Sequence, residues 1–249
     1  MWGEVACETG SRYTHSTTGG DPSPKSNGAS QGNTAYRRLS VNDGDDVWGE
    51  SCELARNNHA NGENTGSQTS GTFALYESGD HKITFFSQRY TSGFSSSVNQ
   101  WQTVAQMKQT QPYDSDGNPG VALEIQIWGN QLRLDSWWST RWSTPAPVAN
   151  TWIRYALDVV YSKNPSVGSV KLYVDRNGDG DWLDSGEQSP RISVATLATE
   201  SAGSAGDGLA VGDAIPSHLR TGIYHNVPIS CPAPTGCPVE LDNVQVVDA

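Results

Sequence analysis

No stretch of this chain repeats its apolar residues at helical spacing, whereas short apolar or alternating runs bounded by Gly, Asn, Asp and Pro recur along all of it. A run of period two sends successive side chains to opposite faces, so each run must bury one side against another layer. These runs predict strands at 35–41, 47–54, 71–76, 81–87, 102–109, 121–128, 131–136, 151–161, 169–174, 191–197, 218–225 and 239–247. Gly129-Asn130 reads as a hairpin turn, because both residues accept the positive φ of a two-residue connection. Many antiparallel strands without intervening helices imply an all-β fold, a β-jelly roll in which two antiparallel sheets form a sandwich with a concave groove. No linker interrupts the pattern, so 1–249 reads as one domain with enough length to bury a core. The polar, glycine-rich stretches 57–70 and 199–217 read as walls of the groove.

Charge narrows the partners. Sixteen Lys and Arg against 27 Asp and Glu give a formal charge of -11, which argues against nucleic acid and anionic membrane surfaces. A polyanion remains compatible only where the few cations gather in one groove. No apolar run approaches the length of a membrane span. The four cysteines point to an oxidising compartment and hence to a secreted, extracellular protein. Cys231 and Cys237 bracket a tight loop that a disulfide can staple, leaving Cys7 and Cys52 to pair; the alternative is a staple beside two buried thiols. Met1 heads a polar stretch without a hydrophobic signal segment, read as a mature sequence lacking its leader. The expectation is a monomer.

Gln106 and Lys108 in VAQMKQ, and Arg220 and Tyr224 in HLRTGIYHN, occupy alternate positions of apolar strands, so each set faces one way. An amide, an amine, a guanidinium and a phenol suit an acidic sugar. Eliminative cleavage of a uronate polymer needs a group that neutralises the C6 carboxylate, a base for the C5 proton and an acid for the leaving oxygen. Gln106 can donate hydrogen bonds to the carboxylate, Lys108 can serve as base where its pKa is lowered, and Tyr224 can act as acid, or as base when held as phenolate.

These residues carry a family resemblance. HLRTGIYHN resembles the YFKxGxYxQ string of jelly-roll alginate lyases, with Arg220 at its lysine, Gly222 at its glycine and Tyr224 at its catalytic tyrosine. VAQMKQ resembles that family's QxH, with Lys108 replacing the histidine, and GESCELARNNH resembles its R-x-E-L strand, keeping Glu53 and Leu54 but placing Ser51 at the arginine. The order of an E-L strand, Asn57-Asn58-His59, Gln106 and Tyr224 is also similar to glucuronan lyases and heparin-lyase-I-like secreted bacterial proteins. That resemblance implies a catalytic set of His59, Gln106 and Tyr224, whereas similarity to ulvan lyases implies a lysine base and tyrosine acid, Lys108 and Tyr224. It thus implies a polysaccharide lyase acting on a glucuronate-containing polysaccharide, glucuronan first, with ulvan, heparin-type chains or alginate as alternatives, and no cofactor for catalysis. The base stays open between Lys108, His59 and Tyr224. Arg89, Arg220, Asn58, Arg141, Trp138 and His225 are candidates for substrate binding.

Bland readings stand beside these. His59 can be a loop residue, Lys108 a solvated cation, Tyr224 a packed strand tyrosine and Arg89 an edge decoration. Asp175, Asn177, Asp179 and Asp181 place oxygens at alternate positions around glycines, the beginning of a structural Ca²⁺ loop that Glu187 or Asp184 can close; the alternative is an unmetallated acidic turn. Trp137, Trp138 and Trp142 can stack on sugar rings with Arg141 taking a carboxylate, or can cover a sheet edge. Two rival functions are a glycoside hydrolase using Glu50 and Glu124, and a non-catalytic carbohydrate-binding module.

Overall fold

A computed structural model describes residues 4–7, 13–16, 36–43, 50–55, 76–109, 121–201, 209–226, 228–232 and 236–249. They form two seven-stranded antiparallel sheets packed as a sandwich and one small two-stranded ribbon. The first sheet runs β1 (Glu4–Cys7), β4 (Glu50–Ala55), β15 (Ser217–His225), β6 (Gln102–Gln109), β7 (Val121–Trp128), β8 (Gln131–Ser136) and β9 (Ser139–Pro145). The second runs β12 (Ile192–Ser193), β11 (Ser169–Asp175), β10 (Trp152–Val160), β5 (His81–Tyr90), β16 (Cys237–Asp248), β3 (Tyr36–Val41) and β2 (Tyr13–Ser16). The ribbon is β13 (Ala198–Thr199) with β14 (Ala214–Ile215).

Alternation decides which side of each strand enters the core. Met107, Ile125, Leu134, Leu219 and Ile223 of the first sheet join Leu39, Phe86, Tyr155, Leu157 and Leu172 of the second in one buried apolar cluster. Strands 102–109, 121–128 and 131–136 occur with the bounds the sequence predicts. The segment 191–197 shrinks to Ile192–Ser193, because it pairs with β11 over only two residues. Of 71–76, only Tyr76 falls within the described residues, and it bridges Ser217. The tryptophan-rich segment, for which the sequence predicts no strand, supplies one at the edge of the first sheet, β9. Cys231 and Cys237 are joined by a disulfide; Cys52 is also disulfide-bonded, and stands opposite Cys7 in the β1–β4 register.

A polar network crosses the core and ends on an irregularity in β6. The Tyr155 and Tyr90 hydroxyls lie 2.7 Å apart, and Tyr90 donates to Gln88 Oε1 at 2.5 Å. Gln88 Nε2 then donates to the Val104 carbonyl at 2.7 Å and to Thr221 Oγ1 at 2.9 Å, while Thr221 Oγ1 donates to the same carbonyl at 3.2 Å. Buried polar groups are costly unless satisfied, so this chain of bonds is what lets Gln88 sit between the sheets. Its target marks a change of register. Thr221 faces Ala105 and Tyr224 faces Thr103, so three steps along β15 match two along β6; toward β7, Ala105 faces Ile125 and Thr103 faces Gln126, so two match one. Such bulges bend a strand and re-aim its side chains.

Consecutive hairpins of the first sheet turn with contrasting residues. Gly129 and Asn130, at φ 60° and 63°, join β7 to β8 with the residue types that tolerate this geometry. Trp137 and Trp138, at φ 50° and 58°, join β8 to β9 with two that do not, at a cost of roughly 1–2 kcal/mol for each. Trp137 offsets its share by packing against the core and donating Nε1–H to the Ala195 carbonyl at 2.9 Å.

Candidate active site

The outward face of β4, β15, β6, β7 and β8 carries two rows of polar side chains. Register places Arg220 opposite Gln106, Gln106 opposite Glu124 and Glu124 opposite Asp135, which is one row. Tyr224, Thr103, Gln126 and Arg133 make the second. The bulges splay the rows: two residues separate them on β7 and β8, three on β6 and four on β15. At a rise of about 3.3 Å per residue the separation therefore grows from roughly 7 Å to roughly 13 Å. Between Arg220 and Tyr224 the face carries only Gly222, which leaves a hollow. That glycine is obligatory: a Cβ there would lie 2.4 Å from the Cys52 carbonyl oxygen and 2.8 Å from Glu53 Cα.

Glu53, opposite Gly222 on β4, organises the wide end. Gln106 Nε2 donates to both of its carboxylate oxygens, at 2.8 and 2.9 Å, and Arg220 forms an ion pair with it at 3.7 Å. A carboxylate only accepts hydrogen bonds, so the Gln106 amide is fixed with its nitrogen toward Glu53. Arg220 Nε donates to His218 Nε2 at 3.1 Å, which makes this ring nitrogen an acceptor and puts the imidazole proton on Nδ1. Tyr224 is half-buried, with its ring edge-on to Trp101 at 4.9 Å.

Charge divides the face. Arg220 and Lys108 stand on β15 and β6, while Glu124 and Asp135 stand on β7 and β8. Burial, with the neighbouring charges of Asp135 and Glu53, pushes the Glu124 carboxyl up to about 7 despite hydrogen bonds from Gln126 and Thr103. Burial also raises Asp135, against the pull of Thr140 and Arg133. Cations thus stand at the β15–β6 end, where Glu53 is the counter-charge of Arg220, and carboxyls at the β7–β8 end.

The structure gathers some predicted residues and separates others. Gln106, Lys108, Arg220 and Tyr224 share the face. Lys108, however, pairs with His218, six residues along β15 from Tyr224, or roughly 20 Å, so the two do not meet at one sugar bond. Asn58 and His59 lie outside the described residues. Arg89 belongs to the second sheet, where it pairs with Glu240 at 2.6 Å beneath Trp152 and Tyr36. His225 points the other way from Tyr224 and is fully buried, with Nδ1 2.9 Å from the Asn226 carbonyl oxygen and Nε2 2.9 Å from Cys231 Sγ. Arg141 and Trp138 are exposed at the β8–β9 end of the same sheet. Glu124 lies on the site face, and Glu50 stands in β4 opposite His225.

The acidic loop after β11 lies on the second sheet. Asp175 accepts from Gly178 and Gly180 amides at 2.7 and 2.9 Å and pairs with Arg154 at 3.3 Å. Asn177, Asp179 and Asp181 each accept a backbone amide two residues on, and Glu187 Oε1 takes that of Arg176. Asn177 Nδ2 donates to both Asp179 and Asp184, at 3.0 and 2.9 Å. Among the described residues, the one group of three His, Cys, Asp or Glu ligand atoms within 4.8 Å is His225, Cys231 and Cys237, whose cysteines form the disulfide.

Sequence reading missed His218, Thr103 and Asp135 as site residues, and saw Glu53 only as part of a string. For His218 the signal is present, since it sits two residues before Arg220 in an alternating strand.

Comparison with known proteins adds the family. The family model described as polysaccharide lyase matches residues 3–239. No curated protein sequence matches the chain. Among solved structures, the endo-β-1,4-glucuronan lyase of the fungus Trichoderma reesei superposes with a TM-score of 0.61 at 18% identity, over 100% of this chain and 91% of that one. An alginate lyase, Aly36B, solved with an alginate trisaccharide, superposes with a TM-score of 0.50 at 10% identity, over 86% of this chain and 82% of that one. These likenesses show the jelly-roll fold.

Proposed function

The chain belongs to the polysaccharide lyase family, and from that premise we propose that it cleaves a glucuronate-containing polymer, glucuronan first, by β-elimination in the hollow between Arg220 and Tyr224. The observation that carries this reading is the splay of the two rows, which sets a guanidinium and a phenol about four residues apart on one strand with no side chain between them. At roughly 13 Å between backbones, both side-chain tips reach one sugar residue. Likeness to the Trichoderma reesei enzyme favours glucuronan over the other polymers.

Arg220, held beside Glu53 at 3.7 Å, brings the positive charge that neutralises the C6 carboxylate, whereas Gln106 is neutral and donates its amide nitrogen to both oxygens of Glu53. Neutralisation withdraws electron density and acidifies the C5 proton. Tyr224, as phenolate, removes that proton; the C5–H electrons form the C4=C5 bond as the C4–O bond breaks, and the phenol returns its proton to the leaving oxygen. Lys108, on β6 opposite His218, is too far from Tyr224 to share this bond and serves a neighbouring carboxylate. The disulfide-bonded cysteines favour export to the medium where such polymers occur.

The test is turnover of glucuronan, ulvan, heparin-type chains and alginate, followed by the ultraviolet absorbance of the unsaturated uronate. Glucuronan should give the fastest rise, and Tyr224→Phe should reduce it at least about 100-fold with an unchanged melting temperature. No absorbance from any of the four polymers, or near-normal turnover by Tyr224→Phe, removes this mechanism.

A further inference from the structure

The β8–β9 turn is built from residues that resist its backbone, and only one of them is anchored to the interior of the protein. Trp137 is half-buried and anchored to Ala195. Trp138 is 65% exposed, and its ring meets Trp137 edge-on at 6.3 Å. One hairpin earlier in the same sheet, Gly129-Asn130 performs the equivalent turn without strain. A left-handed backbone at an exposed aromatic residue is retained where something other than folding uses it. Arg141, three residues on, is the extra residue of a second irregularity, since Asp135 faces Thr140 and Leu134 faces Trp142. It too is exposed.

We infer that Trp138 is a stacking platform for a pyranose ring of the acidic polysaccharide, with Arg141 receiving a carboxylate of the same chain. β8 lies three strand spacings from β15, or roughly 14 Å, beyond the span of a disaccharide held at Arg220. The platform is thus a remote subsite that only a longer chain engages. It lies past Glu124 and Asp135, across the face from Arg220, so it gives a long substrate a second point of attachment on the far side. The inference rests on the proposed function for the identity of the bound polymer, and its test needs no turnover.

The experiment measures binding of long glucuronan chains to the Tyr224→Phe protein, by affinity electrophoresis, with and without Trp138→Gly, alongside thermal melting. Glycine suits the φ of 58°, so Trp138→Gly should melt at or above the parent temperature while binding the polymer roughly three- to tenfold more weakly. Trp138→Phe should restore most of the affinity, and glucuronate disaccharide should bind parent and variant alike. Equal polymer affinity overturns the platform. A melting temperature well below the parent also overturns it, since Trp138 would then be held for packing. Were the lyase reading wrong while a different acidic polymer bound, a panel of alginate, ulvan and heparin-type chains in the same gels would show the same Trp138 dependence.

Discussion

Gln106 hangs its amide nitrogen on both carboxylate oxygens of Glu53, at 2.8 and 2.9 Å, so the carboxylate of one strand sets which atom of its neighbour can face a substrate. Glu53 is almost fully buried and also holds Arg220 at 3.7 Å. Glu53→Ala leaves both partners buried without their acceptor, a loss of about 2–4 kcal/mol in stability. The milder Glu53→Gln keeps the volume but removes the charge, and small misplacement of a reacting group is enough to lower kcat by about 100-fold. Thermal melts and rates on the preferred polymer, measured for both variants, check the two statements separately.

Glu124 makes stability depend on pH in the direction opposite to a salt-bridged acid. Its folded pKa is raised from 4.5 to about 7, so its contribution is fully present below 4.5 and is lost as pH rises through about 7. The loss is at most about 3 kcal/mol. Asp135 shifts in the same direction and adds to the slope. Melting temperatures of the parent, compared with Glu124→Gln between pH 4.5 and 7.5, should diverge in favour of the variant as pH rises; parallel curves would show that Glu124 does not titrate in this window.

Gln88 ties the second sheet to the bulge of the first. Gln88→Leu fits the space but leaves the Tyr90 hydroxyl and Val104 carbonyl without their shared partner. We expect a loss of about 2–3 kcal/mol, or roughly 4–12 °C in melting temperature, and lower turnover because the bulge positions Thr103 against Tyr224. A variant with the parent's melting temperature and rate would detach the network from the site.

Gly222→Ala tests the hollow from below. Its Cβ meets the backbone of Cys52 and Glu53 at 2.4 and 2.8 Å as well as Leu39 Cδ1 at 2.9 Å, and the backbone contacts require β4 and β15 to move apart. Overpacking of this kind costs about 1–3 kcal/mol, and the displacement reaches Glu53 directly. Melting and activity should both fall, and unaltered values would mean that β4 yields without disturbing the site.

The strands of the site sheet were legible where alternation and turn residues coincide: 102–109, 121–128 and 131–136 have their predicted bounds, and Gly129-Asn130 turns as its residue types require. Strand β9 was not legible, because Trp137-Trp138 violates the residue preference by which a turn is read. Nor was the split of Arg89 from Gln106, since period two gives the face of a strand but not the sheet it joins. The distance between Lys108 and Tyr224 depends on pairing register and on bulges, neither of which leaves a local mark in the residues. Glu53 shows its importance only when Gln106 and Arg220 arrive from strands far along the chain.

The fan of the two polar rows has a consequence for how such a cleft can change. Its width comes from surplus backbone steps in β15 and β6, not from the bulk of any side chain. Point substitutions that leave the backbone in place alter what lines the cleft but not the spacing of its two rows. Gain or loss of single residues near Val104 and Gly222 changes that spacing, so a lineage that moves from one polymer to another of different girth should record the move as small insertions and deletions in these two strands.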